Sequence, residues 1–68
     1  MVKTINANIV ITDDYTSTKH TLLVGTKVIL TSCRRSISSE CGVVADIIPQ
    51  QPQSTWAQAS INPIYLTW

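Results

Sequence analysis

The chain has 68 residues and a formal net charge of +1, with charged side chains at only 13% of its positions. A chain of this length makes one small domain, residues 1–68, and its charge is not that of a polybasic nucleic-acid-binding protein. It has neither an apolar run long enough to cross a membrane nor a secretory signal pattern in residues 1–14, so we expect a cytoplasmic location, in a native or a host cell, without membrane association.

β-Branched residues dominate the composition. Val, Ile and Thr together make up 24 of the 68 residues, whereas Leu and Ala occur four times each and Glu once. Side chains branched at Cβ lose rotamer freedom in helices and pack well on a pleated sheet. The composition therefore predicts an all-β domain.

The first predicted strand covers residues 5–12. Its odd positions are all apolar, and its even positions are Asn6, Asn8, Val10 and Thr12. This alternation has the period of a strand with one buried face. Asp13 and Asp14 then predict a turn, because Asp side chains accept hydrogen bonds from nearby backbone amides.

A second strand is predicted over residues 18–24, and Gly25 ends it. One face of this strand carries His20, Leu22 and Val24, and the other carries Lys19, Thr21 and Leu23. Together with residues 5–12 it forms a long N-terminal hairpin.

Two further strands are predicted over residues 27–32 and 42–48, joined by a polar surface loop at residues 33–41. The prolines within residues 49–53 end the fourth strand. Residues 54–60 form either one helical turn capped by Ser54 or a fifth strand from Trp56 onward, and we favour the strand. A turn at residues 62–63 leads to a closing strand over residues 64–68.

The middle third of the chain resembles the core hairpin of SH3-like barrels of the KOW type. A glycine turn leads into an apolar strand, and a second glycine opens the partner strand. The matching positions are Gly25, Val28, Leu30, Gly42, Val44 and Ile47. The resemblance covers residues 24–48 and implies a small SH3-like barrel, or a strongly curled antiparallel sheet, of five to six strands. The segment 33–41 and the long N-terminal hairpin depart from the family pattern.

The two cysteines, Cys33 and Cys41, flank the central loop. If Ser32 pairs with Gly42, the two thiols face each other and a disulfide would close a short loop; the alternative is two reduced cysteines in a cytosolic protein. A zinc site needs about four ligands at short spacings, which two cysteines and one distant histidine do not supply. We expect neither a metal nor another cofactor.

No catalytic constellation is recognisable. His20, the only histidine, lies beside Leu22 on the apolar face of its strand and is interpreted as a half-buried, hydrogen-bonded side chain. The chain has only two glycines and hence no glycine-rich phosphate loop. We therefore expect a protein that is not an enzyme.

The side chains best suited to a partner are arginines and aromatics, which are enriched in protein interfaces. The predicted partner-binding residues are Lys27, Arg34, Arg35, Trp56, Tyr65 and Trp68. They favour a non-catalytic protein-binding module: an accessory subunit, or a regulator or inhibitor of a larger protein, for which a viral or mobile-element origin would fit. One alternative is a KOW-like nucleic-acid-binding module, and another is a structural homo-oligomer, which the low charge permits.

Overall fold

The computed structural model describes residues 1–34 and 44–67, which form six β-strands and one 3-10 helix. The strands are β1 (Val2–Thr4), β2 (Ile9–Thr12), β3 (Lys19–Leu22), β4 (Lys27–Arg34), β5 (Val44–Pro49) and β6 (Ala59–Ile61), and the 3-10 helix is Pro63–Tyr65. The described residues contain no α-helix. The all-β fold class predicted from the composition is confirmed.

The six strands form two antiparallel sheets. The larger sheet has the order β1-β4-β5-β6, and β2 pairs with β3 in a separate hairpin. The hairpin is tied to the chain just before β6, because the backbone N–H of Asp14 donates to the carbonyl of Gln58 over 2.7 Å. In the larger sheet, the long strand β4 lies between β1 and β5. The β2–β3 hairpin is attached next to β6, which is the edge of that sheet opposite β1.

The alternation predicted for residues 5–12 is confirmed in the burial of the side chains. Ile5 and Ile11 are buried, and all four even positions are exposed. The prediction of one continuous strand over residues 5–12 is wrong. Ile5 makes only an isolated β-bridge to Leu66, and β2 starts at Ile9. The short strand β1, which pairs with β4, was not predicted at all.

The core gathers apolar side chains from both sheets and from the segments between them. Its buried members are Ile5, Ile11, Leu22, Val28, Ala45, Ile47, Trp56, Ala59, Ile61 and Leu66. Burial of each large aliphatic side chain contributes about 1.5–3 kcal/mol. The core draws on β2 through β6, whereas β1 contributes no buried side chain.

A buried carboxylate joins the three strands β4, β5 and β6. Asp46 accepts hydrogen bonds from the hydroxyl groups of Ser32 over 2.8 Å and Ser60 over 2.7 Å. It lies on the opposite face of β5 from Ala45 and Ile47. The flanking hydroxyls explain how this side chain is buried, since a buried charge needs hydrogen-bond partners.

The β4–β5 hairpin does not have the register that was considered as the condition for facing thiols. Ser32 pairs with Asp46 rather than with Gly42, and Cys33 pairs with Ala45. The register shifts by one residue between Leu30 and Ser32, which is a β-bulge. Such a bulge adds a residue to one strand, and the alternation of side chains in a sequence does not locate it.

The closing strand predicted over residues 64–68 is wrong. The side chain of Asn62 accepts a hydrogen bond from the N–H of Ile64, and Pro63 occupies the first position of the 3-10 helix. Both features start a helical turn. Only Leu66 makes a β-bridge, and β6 is confined to Ala59–Ile61 instead of beginning at Trp56.

Candidate partner-binding surfaces

The turn after β2 is fixed by the buried carboxylate of Asp13. One oxygen accepts the backbone N–H of Tyr15 over 2.9 Å, and the other accepts that of Ala57 over 2.8 Å. These two amide donors hold the pKa of Asp13 below its ordinary value of 3.8, although burial acts in the opposite direction. The contacts fasten the hairpin to the segment that carries Trp56.

A cleft of ≈ 330 Å³ lies beside that segment. One wall consists of residues 25–27, which form a turn and the start of β4. The other wall follows β5 and consists of Pro49, Gln50, Gln51, Ser54 and Trp56. The cleft thus brings together two of the predicted partner-binding residues, Lys27 and Trp56.

These two residues contribute very differently to the cleft. Trp56 is a core residue, with only 6% of its surface exposed, so little of its ring is accessible for stacking on a base or on a partner side chain. Lys27 is exposed, and its ammonium group donates to the hydroxyl of Thr4 over 3.4 Å. Lys27 is therefore the accessible charged group of the cleft.

The other predicted residues lie elsewhere or outside the described chain. Tyr65 is half-buried against the core, and its carbonyl accepts the N–H of Asn6. Arg34 ends β4 with its backbone paired to Val44, and its side chain lies outside the described part. Arg35 and Trp68 lie wholly outside the described residues, so their predicted roles stay predictions.

Cys33 is disulfide-bonded in the structure. The only other cysteine of the sequence, Cys41, lies outside the described residues. Disulfides persist mainly in oxidising compartments, whereas the sequence predicts a cytoplasmic protein. A disulfide at Cys33 would stabilise the fold, and it would favour an oxidising compartment over the predicted cytoplasm.

The outer face of the β2–β3 hairpin carries apolar side chains that were not among the predicted partner-binding residues. Val10, Leu23 and Val24 expose 65%, 60% and 62% of their surface, respectively. Val10 pairs with Thr21, which places Leu23 diagonally opposite Val10 on the same face. The signal was present in the sequence, because Val10 and Leu23 occupy the otherwise polar faces of the first two predicted strands.

Val24 was predicted to share the inward face of Leu22, and it is exposed instead. β3 ends at Leu22, and the chain turns back where the N–H of Thr26 donates to the carbonyl of Leu23. Gly25 supplies the positive φ of this turn, 92°. We give the name hairpin face to the exposed apolar residues of β2 and of the chain directly after β3: Val10, Leu23 and Val24.

The strand β3 also has an unpaired edge. The N–H of Asp13 donates to the carbonyl of Thr18, which sets the alternation of bonded pairs along the β2–β3 ladder. The backbone groups of Lys19 and Thr21 then point away from β2. Within the described chain no other segment bonds to these groups.

His20 takes the half-buried position expected for it. Its Nδ1 atom lies 3.3 Å from the hydroxyl oxygen of Thr55, and its buried Nε2 atom has no partner among the described residues. Residues 1–34 and 44–67 contain no cluster of three metal-ligating side chains. Within these same ranges, no helix has the length and apolar character to cross a membrane.

Comparison of the chain with known protein families, curated protein sequences and solved structures finds no match. The resemblance of residues 24–48 to KOW-type barrels therefore rests on the sequence pattern alone.

Proposed function

We propose that the chain is a non-catalytic module that binds a protein partner, as an accessory subunit or an inhibitor of a larger protein. The observation that carries this proposal is the hairpin face. Three large aliphatic side chains lie more than half exposed, one on β2 and two directly after β3. Exposed apolar residues that lie near one another on a small protein are candidates for an interaction site.

The position of the hairpin face suits recognition. Asp13 fixes the turn at one end of the hairpin, and the glycine turn fixes the other end, so the apolar side chains are held in place before binding. Preorganised side chains lose less conformational entropy when a partner covers them. The predicted residues Arg34 and Arg35 would add a charged contact if the partner extends that far.

The direct test is capture of a partner by tagged protein and by a Val10→Thr/Leu23→Thr variant. Threonine is compatible with extended backbone at both positions, and both substitutions remove exposed apolar surface. We expect at least about tenfold weaker capture, which corresponds to about 1.4 kcal/mol of lost binding free energy. Unfolding midpoints of the variant and the wild type should agree, since neither side chain is buried.

The matched control is Val2→Thr, the same change at an exposed valine on β1. Val2 lies outside the hairpin, so this variant should capture the partner as the wild type does. Equal capture by all three proteins would reject the hairpin face. A specific loss in an Arg34→Ala/Arg35→Ala variant alone would move the binding surface to the central loop.

A homo-oligomer is the second candidate, and the unpaired edge of β3 favours it. Exposed backbone groups at Lys19 and Thr21 can pair with the same strand of a second copy. Light scattering over a concentration series tests this candidate, since a monomer at the highest concentration would exclude it. If a dimer forms, Thr21→Pro should disrupt it, because proline lacks the N–H that faces the open edge.

A KOW-like nucleic-acid-binding function is the remaining alternative. The burial of Trp56 argues against base stacking, and one accessible cation at the cleft would contact few phosphates. A filter-binding assay decides this alternative, because phosphate contacts are strongest at low salt. No retention of RNA or DNA at about 50 mM salt would exclude it.

A further inference from the structure

We infer that the cleft between residues 25–27 and the segment after β5 binds a carboxylate attached to a small apolar group. The inference is independent of the hairpin face, and the two surfaces share no residue. It rests on the charge of the cleft, its hydrogen-bond donors and its size.

Among the described lining residues, one side chain is charged, and it is a cation. Lys27 lines the cleft, and no Asp or Glu from the ranges 1–34 and 44–67 does. No carboxylate pairs with the Lys27 ammonium in the part of the chain that the structure describes. The ammonium donates one hydrogen bond to the hydroxyl of Thr4, and its other two N–H groups can donate to a ligand.

The neutral lining residues supply further hydrogen-bond donors around this cation. Thr26 and Ser54 carry hydroxyl groups, and Gln50 and Gln51 carry side-chain amides. These groups donate to an anion without adding charge. A single positive charge surrounded by neutral donors matches a ligand with one negative charge, whereas phosphate sites more often use several cations or a helix N-terminus.

The remaining walls are apolar and leave free space. Pro49 and the accessible part of Trp56 form one side. At Gly25 an added Cβ would meet nothing within 4 Å, so the opposite side is open. A volume of ≈ 330 Å³ lies at the lower end of the range for small-molecule sites and suits a group the size of one amino acid.

Two sources share this chemistry: a free small carboxylic acid and the C-terminal residue of a peptide. N-acetyl-leucine is a probe for both, and N-acetyl-leucinamide is its neutral counterpart. The readout is the indole N–H signal of Trp56 by NMR, in a Trp68→Phe background because the sequence contains two tryptophans. We expect a saturable shift with the acid, weakened by added salt, and no saturable shift with the amide.

Lys27→Gln removes the proposed charge, and Lys19→Gln is its matched control, since Lys19 is exposed on β3 and does not line the cleft. We expect affinity for N-acetyl-leucine to fall at least about tenfold in Lys27→Gln and to stay within about twofold in Lys19→Gln. Equal affinity in all three proteins, or equal binding of acid and amide, would overturn the inference. So would inorganic phosphate that competes at lower concentration than the acid.

A second titration separates the two sources. Acetyl-Gly-Gly-Leu ends in the same carboxylate but adds peptide backbone beyond the cleft. Tighter binding than N-acetyl-leucine assigns the site to a peptide C-terminus, and equal or weaker binding assigns it to a small carboxylic acid. These experiments use the purified chain alone, so their failure leaves partner capture by the hairpin face unaffected.

Discussion

At the residue scale, Asp13 makes the fold sensitive to acid. Its carboxylate accepts two backbone N–H groups in the folded protein, and the pKa of Asp13 is lowered from 3.8 as a result. A lowered pKa means that the unfolded chain binds the proton more readily. The stabilisation is thus complete above the unfolded-state pKa and is lost as the pH falls through the folded-state value.

We predict that Asp13→Asn lowers the urea unfolding midpoint at neutral pH and flattens its decline below pH 3.8. An Asn side chain has one acceptor oxygen, so it leaves one of the two amide donors without a partner. Asp14→Asn is the control with the same charge change at the exposed neighbouring residue. A wild-type midpoint that stays constant between neutral pH and strong acid would contradict this role of Asp13.

At the element scale, β5 is an inner strand of the larger sheet and contributes two buried side chains to the core, Ala45 and Ile47. It pairs with β4 on one side and β6 on the other, and Ile47 in its centre is fully buried. We predict that Ile47→Ala lowers the free energy of unfolding by about 2–5 kcal/mol and Ile47→Val by about 0.5–1.5 kcal/mol. The milder variant keeps the effect measurable if the alanine variant does not fold.

The control for Ile47 is Ile64→Ala. Ile64 is 68% exposed, so the same substitution should change the unfolding free energy by no more than about 0.5 kcal/mol. Equal losses at the two isoleucines in urea unfolding would contradict the assigned core.

The disulfide at Cys33 constrains the chain near the end of β4, so we expect it to contribute to stability. In the chain-entropy model a short closed loop contributes about 2–3 kcal/mol. We predict that a reducing agent and Cys33→Ser each lower the wild-type unfolding midpoint, and that the agent has no further effect on the variant. A wild-type midpoint unchanged by reduction would contradict a stabilising disulfide.

The elements also show what the sequence could and could not predict. Alternation of side chains identified the buried face of residues 5–12, because that pattern depends only on local geometry. It could not locate β1, whose three residues are too short for a period and are fixed by pairing with β4. The 3-10 helix at Pro63–Tyr65 was missed because its capping by Asn62 was interpreted as a turn into a strand.

The candidate surfaces were less predictable than the strands. Lys27 and Trp56 both line one cleft, but Trp56 is buried, in a segment that is held by the long-range hydrogen bond from Ala57 to Asp13. The exposure of Val10 and Leu23 follows directly from their position in the alternation. Exposed apolar residues on a polar face were therefore a usable signal for the hairpin face, whereas preferences for arginine and aromatic residues pointed to other segments.

At the scale of the whole molecule, the proposed recognition of a partner would have to use a small surface. A 68-residue chain buries only about 60% of its extended surface, so its stability is marginal and its core needs the apolar side chains that it has. Large aliphatic residues exposed on the hairpin face lower the solubility of the free protein, and a bound partner would cover them. This is the reason for placing the binding surface there.

The most direct test of this claim is photo-crosslinking of the protein in cells that contain its partner. A photoreactive amino acid is placed at position 23 in one variant and at position 2, on β1, in another. We predict a discrete covalent adduct with a partner protein from position 23 and none from position 2. An adduct from position 2 alone, or from neither position, would contradict binding through the hairpin face.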